Sequence, residues 1–173
     1  KDDICIPDPE KSGACKDFLS GFVTGLADGQ SIIDSWVANG LTVPGANKAA
    51  LEAVTTGEKG ILIAGVDYNG FSSVAKGEPL NIYYPAGGTV VNPRPAMIVK
   101  TAPNMDNAKL FMDFLLSDEA QKMVADAYLL PGLSDVTCEG RTNLADIPQI
   151  ATDWDAMMAV ATETAQNLNA ACN

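Results

Sequence analysis

A chain of 173 residues with 47% hydrophobic content is long enough to form one domain with a core, or one lobe with attached pieces of another. Its 22 acidic and 11 basic residues leave a formal net charge of −11, which argues against nucleic acid and anionic membrane surfaces as partners. It contains no histidine, so the Ser-His-Asp and Cys-His catalytic arrangements and the usual zinc ligand are absent.

Periodic apolar residues and turn residues divide the chain into alternating strands and helices. In chain order we predict a strand over 3–6, helices over 12–28 and 31–38, a strand over 41–43, a helix over 47–56, strands over 60–66 and 80–84 with a short helix between them, an extended segment over 89–100, and helices over 106–116, 117–130 and 153–171. Gly29 is expected to stop the first helix and Asn47 to cap the third. This alternation predicts an α/β fold with a mixed, mostly parallel sheet flanked by helices.

Three of these segments carry specific expectations about burial. Residues 60–66 form an unbroken apolar run, which is typical of a central strand covered on both faces. The spacing of Ala108, Phe111, Met112 and Leu115 predicts that these side chains point inward, and Ala120, Met123 and Val124 are expected to do so in the next helix.

The four cysteines are Cys5, Cys15, Cys138 and Cys172, and none of them forms a CxxC pair. A zinc or thioredoxin-type site is therefore disfavoured. An even number at wide spacing is typical of two disulfides in an oxidising compartment. Of the three possible connectivities we favour Cys5–Cys15 with Cys138–Cys172, and four buried free thiols are the alternative.

Three segments are candidates for a binding site, because ligands of open α/β sheets bind beyond the carboxyl ends of the strands. Ser12-Gly13-Ala14 and Asn47 each open a helix, where free amides and the helix dipole can hold an anion. Asp67-Tyr68-Asn69 follows the apolar run. For each segment a purely structural role, as a helix cap or a turn, is the alternative.

An enzymatic site is disfavoured by the sequence. Ser12 and Lys16 have the i, i+4 spacing of a Ser-Lys pair, but the chain has no GxSxG nucleophile elbow. Asp67 has no identifiable carboxylate partner for acid–base chemistry. We therefore predict a binding protein and keep an enzyme acting on a phosphorylated substrate as an alternative.

Several segments resemble the ferric-binding and related anion-binding branch of type II periplasmic solute-binding proteins. They are Ile6-Pro7-Asp8-Pro9, Ser12-Gly13-Ala14, Pro44-Gly45-Ala46-Asn47, Ala53-Val54, Gly57-Glu58, Asp67-Tyr68, Tyr84-Pro85, Gly88-Thr89-Val90, AKLFMDFLLS over 108–117, Glu119-Ala120-Gln121 and Leu130-Pro131. Together they span nearly all of residues 4–136. The resemblance implies the solute-binding component of an ABC importer, which closes two lobes on its ligand.

The resemblance also implies roles for the candidate residues. The amides of Ser12-Gly13-Ala14 and the side chain of Asn47 would hold a phosphate or a similar anion, with no cofactor. In iron-binding members a tyrosine pair binds Fe3+; here Tyr68 matches the first tyrosine, but Asn69 occupies the second position. We therefore rank a phosphorylated sugar, a phosphonate or a similar organophosphate above ferric iron with a synergistic anion, in which Tyr68 would be the metal ligand.

By the same likeness, residues 1–92 and 150–173 form the second, C-terminal lobe, and residues 93–149 provide a hinge strand and helices that return to the first lobe. Most of the first lobe would be missing, so the apolar face of residues 106–127 would need a partner, and a dimer or domain swap of the isolated chain is an alternative. The remaining implied partner is a membrane permease. The expected location is periplasmic or extracellular, with the signal peptide removed ahead of Lys1 and a lipid anchor on the full-length protein as a further possibility.

Overall fold

The structure is a computed structural model that describes residues 1–172. It divides into two units, one formed by residues 1–92 together with the chain from Pro148 onward, and one formed by residues 93–147. The elements are β1 (Ile4–Cys5), α1 (Gly13–Gly25), α2 (Gly29–Ala38), α3 (Asn47–Thr55), β2 (Ile61–Leu62), α4 (Asp67–Ala75), α5 (Met105–Leu115), α6 (Asp118–Asp126), a 3-10 turn (Leu144–Asp146) and α7 (Trp154–Cys172). The assignment of the units to two lobes stays a prediction.

A small parallel sheet lies at the centre of the first unit. Ile4 pairs with Ile61 and Cys5 with Leu62, and on its other side Cys5 forms a parallel bridge with Thr42. Backbone N–H groups extend both ladders, from Ile63 to the Cys5 carbonyl at 2.8 Å and from Ile6 to the Thr42 carbonyl at 3.0 Å. The predicted α/β class with parallel pairing is therefore confirmed.

The sheet is shorter than the sequence predicts. Of the apolar run 60–66 only Ile61–Leu62 forms a strand, and Ile61 is 55% exposed, so the run is not a strand covered on both faces. The strand ends early because Ala64 adopts a left-handed conformation with φ of 52°, which a strand cannot include. The predicted strand over 80–84 does not form, and the one over 41–43 is reduced to the bridge at Thr42.

The core of the first unit forms where α1 packs against the sheet, α2 and α7. Its buried members are Ile6, Cys15, Leu19, Phe22, Ile33, Leu41, Ile150 and Leu168. Leu19 is fully buried, and the Phe22 ring lies 5.3 Å from both the Phe18 and Trp36 rings, centroid to centroid. Leu19 and Phe22 therefore form the inward face of α1, and Ile33 that of α2.

The sequence predicts that Gly29 stops the first helix, and this prediction is wrong. α1 ends at Gly25, and Gly29 opens α2. Gly29 is buried against the backbone of Phe22 and Val23, so closely that a Cβ at this position would collide with the Phe22 carbonyl oxygen. The glycine is therefore needed for the close approach of two helices rather than for helix termination.

The second unit contains α5 and α6. The Ser117 hydroxyl accepts a hydrogen bond from the Ala120 N–H at 3.3 Å, so Ser117 caps α6 at the start of the predicted helix 117–130. The expected burial of Phe111 and Met123 is wrong, because each side chain is 61% exposed, and α5 has no buried residue. The rest of the predicted face is partly covered, since Ala108, Met112 and Leu115 are half-buried and Ala120 is buried as predicted. None of the described helices is long and apolar enough to cross a membrane.

The favoured disulfides are not formed, and all four cysteines are free thiols. The Cys5 thiol donates to the Ala50 carbonyl and the Cys15 thiol to the Pro7 carbonyl, at 3.7 and 3.0 Å. Both thiols of the first proposed pair therefore have backbone partners. Cys138 belongs to the second unit and Cys172 to the first, and the Cys138 thiol donates to the Leu129 carbonyl at 3.1 Å.

Thiol reactivity provides a direct test of this arrangement. Burial, with a contribution from the charge of Asp8, raises the pKa of Cys15 to about 12, so at neutral pH almost none of it is thiolate. We expect Cys15 to resist alkylation in the folded protein. After unfolding without reductant, all four cysteines should be alkylated, as read by intact mass. A chain that takes up alkyl groups only after reduction would contradict the free-thiol structure.

Candidate functional site

Three helices begin at one edge of the sheet. β1 leads into α1, the Thr42 bridge leads into α3, and β2 leads into α4, and both pairings that join these three segments are parallel. Because parallel strands end at the same edge, the segments that open these helices share the carboxyl edge of the sheet. The predicted site residues lie in these three openings.

The openings of α1 and α3 are joined by a hydrogen bond. Ser12 is the N-cap of α1, and its hydroxyl oxygen accepts from the Cys15 N–H at 3.1 Å. The same hydroxyl donates to Oδ1 of Asn47 at 2.7 Å, and Ser12 is only 2% exposed. The hydroxyl proton of Ser12 is therefore engaged by Asn47 and is not available to a ligand in this structure.

Asn47 is the first helical residue of α3 rather than its cap. The N-cap is Ala46, and no side chain caps this helix. Alanine has no polar side chain to cap the helix. Oδ1 of Asn47 accepts from Ser12, which leaves the Nδ2 amide of Asn47 as a donor. This bond orients a side-chain donor beside the uncapped end of α3.

Unpaired backbone amides are present at both openings. The N–H groups of Gly13 and Ala14 have no intrahelical partner, and within residues 1–172 they donate to no other protein group. The uncapped α3 leaves the amides of its first turn in the same condition. Two adjacent helix ends of this kind combine hydrogen-bond donors with positive dipole ends, which is a favourable arrangement for an anion.

Asp8 organises the loop between β1 and α1; the sequence marked it as part of the family-like Ile6-Pro7-Asp8-Pro9 segment but not as a site residue. Its side chain is buried and accepts hydrogen bonds from the Glu10 N–H at 3.0 Å and from Asn169 Nδ2 at 3.0 Å. Nζ of Lys11 lies 2.9 Å from its other oxygen. Burial by itself raises the pKa of Asp8, but these hydrogen bonds and the charge of Lys11 outweigh it, so the pKa lies below its ordinary value.

This lowered pKa predicts an acid-labile contribution to stability. With a folded pKa below the unfolded one, the contribution is fully present above the ordinary value of about 4 and is lost as the pH falls through the folded pKa. We expect Asp8→Asn to reduce the free energy of unfolding at pH 7 by about 1–3 kcal/mol, and by less at pH 3. Urea titrations of both proteins at the two pH values measure the difference. An equal loss at both would contradict this role.

The Asp67-Tyr68-Asn69 segment forms the first turn of α4, and its three side chains are half-buried. The Tyr84 hydroxyl donates to Oδ2 of Asp67 at 2.7 Å. Tyr84 is therefore a further polar residue of this region that the sequence did not single out for the site; the signals for it were its place in the predicted strand over 80–84 and the family-like Tyr84-Pro85 pair.

The structure shows no preformed metal cluster among the acidic and cysteine residues. Within residues 1–172, no three His, Cys, Asp or Glu side chains are grouped so that they could hold an ion. Two clefts of about 220 and 360 Å3 lie elsewhere, the first between α2 and α7 and the second beside the N-terminus and Trp36. Neither is lined by a residue of the predicted site.

The unit is a parallel α/β arrangement in which α1, α3 and α4 open at one edge of the sheet. Comparison with known proteins identifies the family. Residues 1–159 match the family described as bacterial extracellular solute-binding protein, and the chain belongs to that family. This confirms the resemblance drawn from the sequence.

Individual relatives are similar over part of their own length. The chain is 33% identical over 127 residues to a protein of Synechocystis named Iron uptake protein A1, covering 64% of this chain and 35% of that protein. It is 30% identical over 134 residues to an uncharacterized protein of Haemophilus influenzae, covering 71% and 36%. The chain thus spans about a third of the length of these curated relatives.

A solved structure has the same fold. It is the crystal structure of the substrate binding protein of the ABC transporter from Agrobacterium tumefaciens, with a TM-score of 0.78 and 21% identity. The superposition covers 99% of this chain and 54% of that one. At this identity the likeness establishes the fold.

Proposed function

We propose that this chain is a ligand-gripping part of the solute-binding protein of an ABC importer, working in the periplasm or outside the cell. The observation that carries the proposal is the 2.7 Å hydrogen bond between Ser12 and Asn47, which brings the openings of α1 and α3 together. A small anion would bind to the amides of both openings. Closure of a second lobe would bury it and present the loaded protein to a membrane permease.

The electrostatics favour an anion despite the acidic chain. Each helix N-terminus is equivalent to about half a positive charge, so two adjacent openings oppose one negative charge without any Lys or Arg. Gly13 is exposed and nothing lies within 4 Å of its Cβ direction, so the α1 opening is open to solvent. A phosphoryl or phosphonyl group offers several acceptor oxygens for these donors. We therefore propose an organophosphate as the ligand class.

A second candidate ligand is ferric iron held with a synergistic anion. The relative named Iron uptake protein A1 and the position of Tyr68 in the first turn of α4 favour it. Against it, Asn69 supplies no phenolate. The Tyr84 hydroxyl keeps its proton, because it donates a hydrogen bond to Asp67, so Tyr84 does not supply a phenolate in this structure either.

Binding measurements distinguish these ligands. We expect inorganic phosphate and glycerol 3-phosphate to bind in calorimetric titrations, and Fe3+ nitrilotriacetate to give no tyrosinate absorption band. A band that appears with wild type and disappears in Tyr68→Phe would replace the organophosphate by iron. Release of phosphate from glycerol 3-phosphate by the purified protein would contradict a pure binding role. Failure of every anion and of iron to bind would remove the proposal.

A further inference from the structure

Asp8 connects three segments that are distant in the sequence. Its backbone N–H donates to the Gly45 carbonyl at 2.7 Å, in the loop before α3, and its carbonyl accepts from the Ser12 N–H at 2.8 Å. Its carboxylate accepts from Asn169 Nδ2 of α7, 161 residues away, at 3.0 Å. A single residue thus holds the openings of α1 and α3 against the last helix.

The Asn169 amide serves two carboxylates at once. Besides Asp8 it donates to Oε2 of Glu10 at 2.7 Å, so one NH2 group satisfies both acids. Because the Asn169 amide is neutral, it adds no positive charge near the helix ends that could itself attract the anionic ligand. The charge of Asp8 is balanced by Lys11 at 2.9 Å, whose side chain is 67% exposed.

The loop held by this contact leads directly into the amides of the candidate site. Pro7 and Pro9, on either side of Asp8, are fully buried and have fixed backbone φ angles. The bond to Asn169 ties this segment to α7 through a side chain, in addition to the backbone bonds that hold it to the loop before α3. A shift of this loop would turn the N–H groups of Gly13 and Ala14 away from their common direction.

We propose that Asp8 and Asn169 form a clamp that positions the amides at the start of α1 for anion binding without contacting the anion. This inference rests on the proposed function and adds positioning residues to it. The clamp acts on affinity because hydrogen bonds to an anion depend steeply on donor direction.

The test is a reciprocal exchange of the two side chains. Asn169→Asp places a third carboxylate against Asp8 and Glu10, and we expect affinity for inorganic phosphate to fall roughly tenfold. The double variant Asp8→Asn with Asn169→Asp restores an amide facing a carboxylate and should recover part of the affinity, because the carboxylate at position 169 still faces Glu10. Asn167→Asp makes the same charge change at an exposed position of α7 and should leave affinity unchanged. Calorimetry well below every unfolding midpoint gives the dissociation constants.

Several results would overturn the clamp. If Asn169→Asp lowers the unfolding midpoint but leaves the dissociation constant unchanged, the contact is only structural. If the double variant binds no better than Asn169→Asp, the pair does not act as a unit. Should Asn169→Asp fail to fold, Asn169→Ala removes the donor without adding charge, and unchanged affinity in that variant counts against the clamp.

Hydrogen exchange separates failure of the clamp from failure of the proposed function. If the wild-type protein binds no phosphate, the proposed function fails, but amide exchange over residues 12–16 and 45–50 still reports the clamp. Faster exchange in Asn169→Asp, reversed in the double variant, supports it. Equal exchange in all variants contradicts it.

Discussion

Replacing Gly13 by aspartate is expected to abolish anion binding while the fold is preserved. Gly13 is exposed, has no neighbour within 4 Å of its Cβ direction and does not have a positive φ, so a side chain fits without strain. The first turn of α1 has no acidic residue, and a carboxylate there stabilises the helix through its dipole by about 0.3–1 kcal/mol. The same charge repels a bound anion by about 4 kcal/mol at 4 Å, which weakens binding by roughly a hundredfold or more.

A matched control distinguishes this local repulsion from a change in net charge. Ser31→Asp puts the same charge into the first turn of α2, which also lacks an acidic residue. α2 begins beyond the far end of α1, whose 13 residues span about 20 Å. Phosphate titrations should show loss of binding for Gly13→Asp and wild-type affinity for Ser31→Asp. Unchanged binding by Gly13→Asp would place the ligand elsewhere.

Replacing Leu19 by alanine is expected to produce the largest loss of stability. Leu19 is fully buried in the core where α1 meets the sheet and the neighbouring helices. Truncation removes buried methyl groups and leaves a cavity, which costs about 2–5 kcal/mol. Domains of this size are stable by about 5–15 kcal/mol, so the variant should show a much lower urea midpoint.

Val74→Ala is the control for this core substitution. Val74 lies in α4 of the same unit and is 41% exposed, so little burial is lost, and alanine is the better helix former. The free energy of unfolding should change by less than about 0.5 kcal/mol. If the two substitutions cost the same, the core described around α1 is wrong.

The helices could be predicted because their signals are local. The period of apolar residues in α1 and the hydroxyl of Ser117 before α6 are each contained within a few turns of chain. The strands could not be predicted with the same accuracy. The apolar run after Gly60 indicates only that its side chains favour burial. The length of β2 depends on the left-handed turn at Ala64, which the run does not reveal.

The exposed apolar side chains of the second unit also could not be predicted from the sequence. Periodicity identified an apolar face on α5, but whether Phe111 is covered depends on an element that the pattern does not name, and 61% of it is exposed. The cysteines are similar, since their number and spacing favoured disulfides while the local packing gave Cys5 and Cys15 backbone partners.

The order of strands and helices determined by itself that Ser12, Asn47 and Asp67 would stand at helix openings on one sheet edge, because the carboxyl ends of parallel strands share that edge. Their roles in binding stay predictions. Only the tertiary structure decided that the Ser12 hydroxyl is directed to Asn47 and that Asp8 is held by Asn169. These contacts join residues 35 and 161 positions apart, and no local pattern specifies a partner at such a distance.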